Sequence, residues 1–194
     1  MTSVAVRGRS GAAGETRARI LAEALGLMAE HGYAATSTRE VCERMGFTKA
    51  ALYYHFRSKD ELLAELVEPL LADLRRLVST DGEVSSPAAR RAILTGYVDL
   101  VLGHADLIRV LYEDPSVRQH PALAGATEAY AALVRSLSGL AEPSVTERAR
   151  ARGALGAVSA VLLRAEPGDE PTELRAAALA AGCGALGIPA PRHP

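Results

Sequence analysis

The 194-residue chain has no tryptophan, two phenylalanines, two cysteines and only two lysines. Each shortage excludes something. Cys42 and Cys183 have neither metal-ligand spacing nor the numbers for a disulfide framework. Cys42 stands beside Val41 and ahead of Met45 on a helical pattern, and Cys183 lies among small residues, so a metal centre is not expected and Cys42 reads as a small buried hydrophobe. No stretch approaches the roughly 18 uncharged apolar residues that a membrane-spanning helix needs. The residues before Glu15 are rich in Gly, Ala and Ser and lack the apolar run of a secretory leader, so a cytoplasmic protein with no membrane partner is expected. A phosphate-cradling glycine loop, a strand framework and catalytic Ser/His/Asp spacing are all missing, which argues against an enzyme or a small-molecule carrier.

What is present is alanine, at 37 positions, with apolar residues recurring at helical spacing almost throughout. An all-α protein is predicted. The net charge of −1 looks unsuited to a nucleic-acid partner until the chain is divided. Residues 1–60 hold nine Lys and Arg against six Asp and Glu, whereas residues 61–194 hold thirteen against seventeen. Positive charge is therefore concentrated toward the N-terminus, as phosphate binding requires.

The stretch from Ser37 to Leu62 reads as two short helices meeting at a tight turn, followed by the start of a third. Ser37 with Glu40, and Ser58 with Glu61, have the spacing of capping boxes. Gly46 supplies the residue that tolerates positive φ at the end of the first helix, and Thr48 can cap the next. On that next helix Leu52 and Phe56 lie one turn apart as core anchors, leaving Lys49, Tyr53, Tyr54 and His55 to face outward. A short helix offering Lys, Tyr and His from a helix–turn suits the DNA major groove.

The run T-K-A-A-L-Y-Y-H-F-R-S-K-D-E-L resembles the DNA-binding signature of TetR-type transcriptional regulators, and E-T-R-A-R-I-L-A-E-A-L-G-L-M-A-E-H-G-Y resembles their first helix. The likeness covers residues 15 to 65. It implies an N-terminal three-helix helix–turn–helix DNA-binding domain and a larger C-terminal helical domain for ligand sensing and dimerisation, about nine helices in all. The expected divisions are an arm at 1–14, the reader at 15–60 and the effector and dimerisation domain at 61–194. The first helix is expected over Glu15–His31, buried through Ile20, Leu21, Ala24, Leu25 and Met28. Further helices are expected from Lys59 to Val78 with a bend at Pro69, from Pro87 to Leu102, on to Tyr112, over Pro121–Leu140, from Ser144 to Arg164, and to Leu186.

The resemblance also implies roles. Arg39 is placed for a bidentate contact to guanine, Lys49 for a base or phosphate, Tyr53 and His55 for phosphates, and Tyr54 for a thymine methyl or the backbone. Thr38, Thr48 and Lys59 are further backbone contacts, and Ala50 stands where many relatives have glycine. The implied partners are duplex DNA, a second copy of the chain and a small-molecule effector. Stripes of small residues suit the dimer interface: Gly153, Gly156, Ala157 and Ala160 on one helix, and Ala177, Ala178, Ala181 and Ala185 on the last. Tyr97, Val101, His104, Arg109, Tyr112 and Tyr130 are the candidates for an effector pocket, with no cofactor expected. The function so implied is a homodimeric repressor released from a palindromic operator by its effector. A ligand-independent regulator or activator is the alternative within the family.

Overall fold

The computed structural model describes residues 5–78 and 86–190, without the side chains of 5–12 and 118. The described residues form ten α-helices and one short 3-10 turn, with no strand. In order they are α1 (Ala5–His31), α2 (Thr38–Met45), α3 (Lys49–His55), α4 (Lys59–Val78), α5 (Pro87–Gly103), α6 (Ala105–Glu113), α7 (Pro115–Arg118), the 3-10 turn (Pro121–Leu123), α8 (Ala124–Ser138), α9 (Val145–Leu163) and α10 (Pro171–Leu186).

Local chemistry accounts for the boundaries. The Ser37 hydroxyl accepts the Glu40 N–H while the Glu40 carboxylate accepts the Ser37 N–H, so the capping box of α2 is complete. Ser144 and Glu147 do the same for α9. At α4 the box is half made. Ser58 takes the Glu61 N–H, but the Glu61 carboxylate turns to the Arg57 N–H instead. Ser86 caps α5 ahead of Pro87, whose missing N–H costs nothing at a first helical position. Gly46 ends α2 at φ 67°, in the left-handed region that side-chain-bearing residues avoid. Pro69 lies inside α4, where it removes the bond its N–H would have made to the Glu65 carbonyl.

Three elements differ from the sequence reading. α1 begins at Ala5, so the part of the expected arm from residue 5 to 14 continues the first helix; residues 1–4 lie outside the described ones. Lengthening a helix that is already nucleated costs little, and no proline intervenes. Between Tyr112 and Pro121, where no helix was expected, lies the single-turn helix α7, capped by the Asp114 carboxylate on the Ser116 N–H at 2.9 Å. The start of the next helix, expected at Pro121, is delayed to Ala124 by the 3-10 turn.

Contacts group the chain into two units. The first holds the described residues to Pro69 together with Asp106–Leu123. Its core is built from Ile20, Ala24, Leu27 and Met28 of α1, Val41 and Cys42 of α2, Leu52 of α3, Phe56, and Leu62, Leu63 and Val67 of α4. Leu27 is buried where Leu21 and Leu25 were expected, because those two flank the stripe set by Ile20, Ala24 and Met28. The second unit holds Leu70–Ala105 and the described residues from Ala124 onward. In this unit α5 buries Ile93, Leu94, Tyr97, Val98, Leu100 and Val101 along one face, and α10 approaches it closely through Gly182.

Candidate nucleic-acid interface

α3 is seven residues long and encloses only Leu52; the capping Phe56, one turn further, is enclosed as well. These two anchors set its roll. Lys49, Ala50, Ala51, Tyr53 and Tyr54 remain exposed, Tyr54 at 83 % and Tyr53 at 48 %. His55 is half-buried, with its ring edge-on to Tyr54 at 5.1 Å between centroids. Thr48 caps the helix, its hydroxyl accepting the Ala51 N–H at 3.2 Å, and remains exposed. α3 contains no carboxylate, so its cation, hydroxyls and N-terminal dipole present a surface of one sign to an anionic partner.

On α2, Thr38 is half-buried and Arg39 exposed. The Arg39 Nε lies 2.7 Å from Glu43 Oε1, one turn along, which raises its already high pKa. A base contact by Arg39 must displace that exposed pairing, whose strength in water is small. Lys59 is held differently. Its Nζ donates to the carbonyls of Tyr33 at 2.8 Å and Ala34 at 3.3 Å and lies 4.3 Å from the centre of the Tyr33 ring. The cation at this helix start thus has a local structural role, satisfying carbonyls of the α1–α2 connection.

Two further groups brace the reader, and periodicity did not reveal either. Arg17 of α1 donates to both carboxylate oxygens of Glu65 on α4, with Nε at 2.8 Å from Oε2, and to the His55 carbonyl at the end of α3. Its guanidinium lies 4.1 Å from the centre of the Phe56 ring. Around the α1–α2 connection, the Tyr33 hydroxyl donates to Asp60 at 2.5 Å, and the His120 ring nitrogen lies 3.4 Å from that hydroxyl. The Asp114 carboxylate accepts the Ala34 N–H at 3.1 Å. Tyr33 holds the Asp60 carboxyl below the usual carboxylate range, with His120 adding to it, while burial and the Asp60 carboxylate push the Tyr33 hydroxyl upward.

The pattern described as "Bacterial regulatory proteins, tetR family" matches residues 20–66, which run from α1 into α4 and contain α2 and α3 but not Arg17, Asp114 or His120. Residues 20–66 thus match the DNA-binding segment of the TetR family. The chain is 41 % identical over 54 residues to the HTH-type transcriptional regulator AcrR of Shigella flexneri, and 43 % identical over 54 residues to the class A tetracycline repressor of Escherichia coli. Each match covers 28 % of this chain and 25 % of the relative, so the chain spans about a quarter of the length of these curated relatives. Over the whole fold it is similar to the structure of a TetR transcriptional regulator family member from Streptomyces coelicolor. That likeness has a TM-score of 0.65 at 20 % identity over 90 % of this chain and 91 % of that one. The SmeT–triclosan complex has a TM-score of 0.56 at 22 % identity over 93 % and 98 %.

The six expected effector residues are dispersed. Tyr97 and Val101 are buried on α5, with the Tyr97 hydroxyl 3.0 Å from Ser159 Oγ. His104 is half-buried and lies 2.8 Å from Asp73, holding that carboxyl below its ordinary range, and Tyr130 is half-buried on α8. Arg109 and Tyr112 belong to the first unit, where Arg109 pairs with Asp106 at 3.2 Å and Tyr112 is exposed. A recess of about 420 Å³ in the second unit, between α4 and α5, includes His104 alone of the six. Asp73 and Asp99, which the sequence did not single out, line it together with Leu77 and Leu100.

The small-residue stripes divide more evenly. Gly153, Gly156, Ala160 and Ala177 are exposed, and Ala157, Ala181 and Ala185 are half-buried. Ala178 faces inward, fully enclosed in its own unit. A side chain begun at Gly153 or Gly156 would meet nothing within 4 Å.

Proposed function

We propose that this chain is a homodimeric TetR-family repressor that inserts α3 into the major groove at each half of a palindromic operator and leaves it when a small molecule occupies the second unit. The observation that carries the reading is α3 itself, anchored by Leu52 and Phe56 while Lys49, Tyr53 and Tyr54 stay in solvent. In this reading Lys49 meets a base or phosphate, Tyr53, His55, Thr38 and Thr48 meet phosphates, and Tyr54 packs on a thymine methyl. Arg39 exchanges Glu43 for guanine. Ala50 sets how near the backbone approaches, and Lys59 contributes through the loop it holds.

One such module contacts a few base pairs, so useful affinity requires two copies on a symmetric site. The exposed faces of α9 and α10 supply the surface, since small side chains there allow close helix approach. The names of relatives support the remaining parts: one is a tetracycline repressor, and one similar structure is a complex with triclosan. For the effector, the α4–α5 recess falls within the roughly 300–1,000 Å³ typical of small-molecule sites.

The test uses the duplex that the purified chain selects from a random-sequence pool. Lys49→Ala should weaken binding and lower the slope of log affinity against log salt by about one. Selection of no sequence, or indifference to Lys49→Ala, refutes the reader. Gly156 is exposed and a β-carbon there would meet nothing within 4 Å, so Gly156→Arg should fold and halve the mass seen by light scattering. An unchanged dimer mass would reject the α9–α10 face.

A further inference from the structure

We infer that Arg17 is a positioning residue for the recognition helix: it fixes the pitch of α3 without touching DNA. This rests on the reading of α3 as the reader. The helix is only seven residues long and encloses one side chain, so packing constrains its roll better than its tilt. Its N-terminal end follows α2 through the Gly46 turn and is capped by Thr48. Its C-terminal end has one long-range polar tie among the described residues, the bond from Arg17 to the His55 carbonyl.

That bond has the right chemistry. The last carbonyls of a helix have no partner within it, and a guanidinium near them also complements the negative end of the dipole. Arg17 is itself fixed from two other directions. Both oxygens of Glu65 engage its fork, and the Phe56 ring lies beneath its plane at 4.1 Å. A planar fork with five donors can serve carboxylate, carbonyl and ring together; an ammonium cannot. α1, α3 and α4 thus meet at one side chain, and its charge is spent on Glu65 rather than offered to a phosphate.

The inference separates cleanly from a phosphate contact. Arg17→Lys keeps the charge and loses the fork. We expect its affinity for the selected duplex to fall about tenfold or more, as mis-set base contacts forfeit discrimination. Affinity for a scrambled duplex should stay within about threefold, and the salt slope should not change. Glu65→Gln, which keeps the shape and frees the guanidinium, should lose specificity in the same sense. Helical circular dichroism and melting temperature, measured on each variant, establish that it is folded. If Arg17→Lys binds the selected duplex like the parent chain, the inference fails and the reader stands. If specific and scrambled affinities fall together, or Arg17→Ala lowers the salt slope by about one, Arg17 touches phosphate and the inference also fails. If the parent chain selects no sequence, the reader and the inference fall together.

Discussion

Two glycines of α10, two residues apart, should respond in opposite directions to the same methyl group. A β-carbon built at Gly182 would lie 2.7 Å from Leu94 Cδ2 and 3.0 Å from Val158 Cγ2. Leu94 and Val158 are both fully enclosed, so neither has room to retreat, and Val158 is further restricted by its branched β-carbon. At Gly184 the same atom would meet nothing within 4 Å. Alanine is worth about 1 kcal/mol over glycine inside a helix, and this gain applies at both positions. Against it, overfilling a packed interior costs about 1–3 kcal/mol, and only Gly182 incurs that cost. Gly184→Ala should therefore stabilise by about 1 kcal/mol, while Gly182→Ala loses about 1 kcal/mol net. For a chain of this size each kcal/mol moves the melting temperature by about 2–4 °C, so the variants should bracket the parent. Thermal or urea unfolding at one fixed protein concentration gives the comparison free of mass-action effects from association. A Gly182→Ala chain as stable as the Gly184→Ala chain would show that Leu94 and Val158 yield freely, and would refute the packing argument.

Three other outcomes follow from the reader. Leu52→Ala removes one of the two anchors of α3 and should cost about 2–5 kcal/mol in urea unfolding. Ser37→Ala breaks the complete capping box and should cost about 1 kcal/mol, with α2 losing amide protection in hydrogen exchange before α1 does. For Asp60 the carboxyl is held below its unfolded value, chiefly by the Tyr33 hydroxyl. Its contribution is thus present above the ordinary carboxylate pKa and is lost as pH falls toward the depressed value. Asp60→Asn should flatten that acid limb of melting temperature against pH; an unaltered limb would show that the Tyr33–Asp60 bond does not matter.

What the sequence revealed was whatever a single helix decides by itself. The Ser37–Glu40 and Ser144–Glu147 boxes, the Gly46 turn and the Leu52–Phe56 pairing depend on residues three or four apart, and all were legible. Leu27 was missed because a stripe's centre is ambiguous by one position until its neighbours are known. Helix α7 was missed because a single turn held by Asp114 leaves no periodicity. Arg17 could not be read as a brace, since its partners are 38 and 48 residues away. Nor could the approach of Tyr33 to His120, across 87 residues, be read from spacing. The effector side was least legible for a related reason. Tyr97 is an ordinary core residue with its hydroxyl satisfied, whereas the α4–α5 recess is lined by Asp73 and Asp99, which on a helical wheel resemble any solvated carboxylates.

The scarcity of lysine, with Lys59 held against two carbonyls and a ring, has a practical consequence. Lys49 is left as the one readily acylated ε-amine among the described residues. A mild amine-specific reagent should therefore label the recognition helix in preference to the rest of the described chain. Protection of that label by a bound duplex would report occupancy directly.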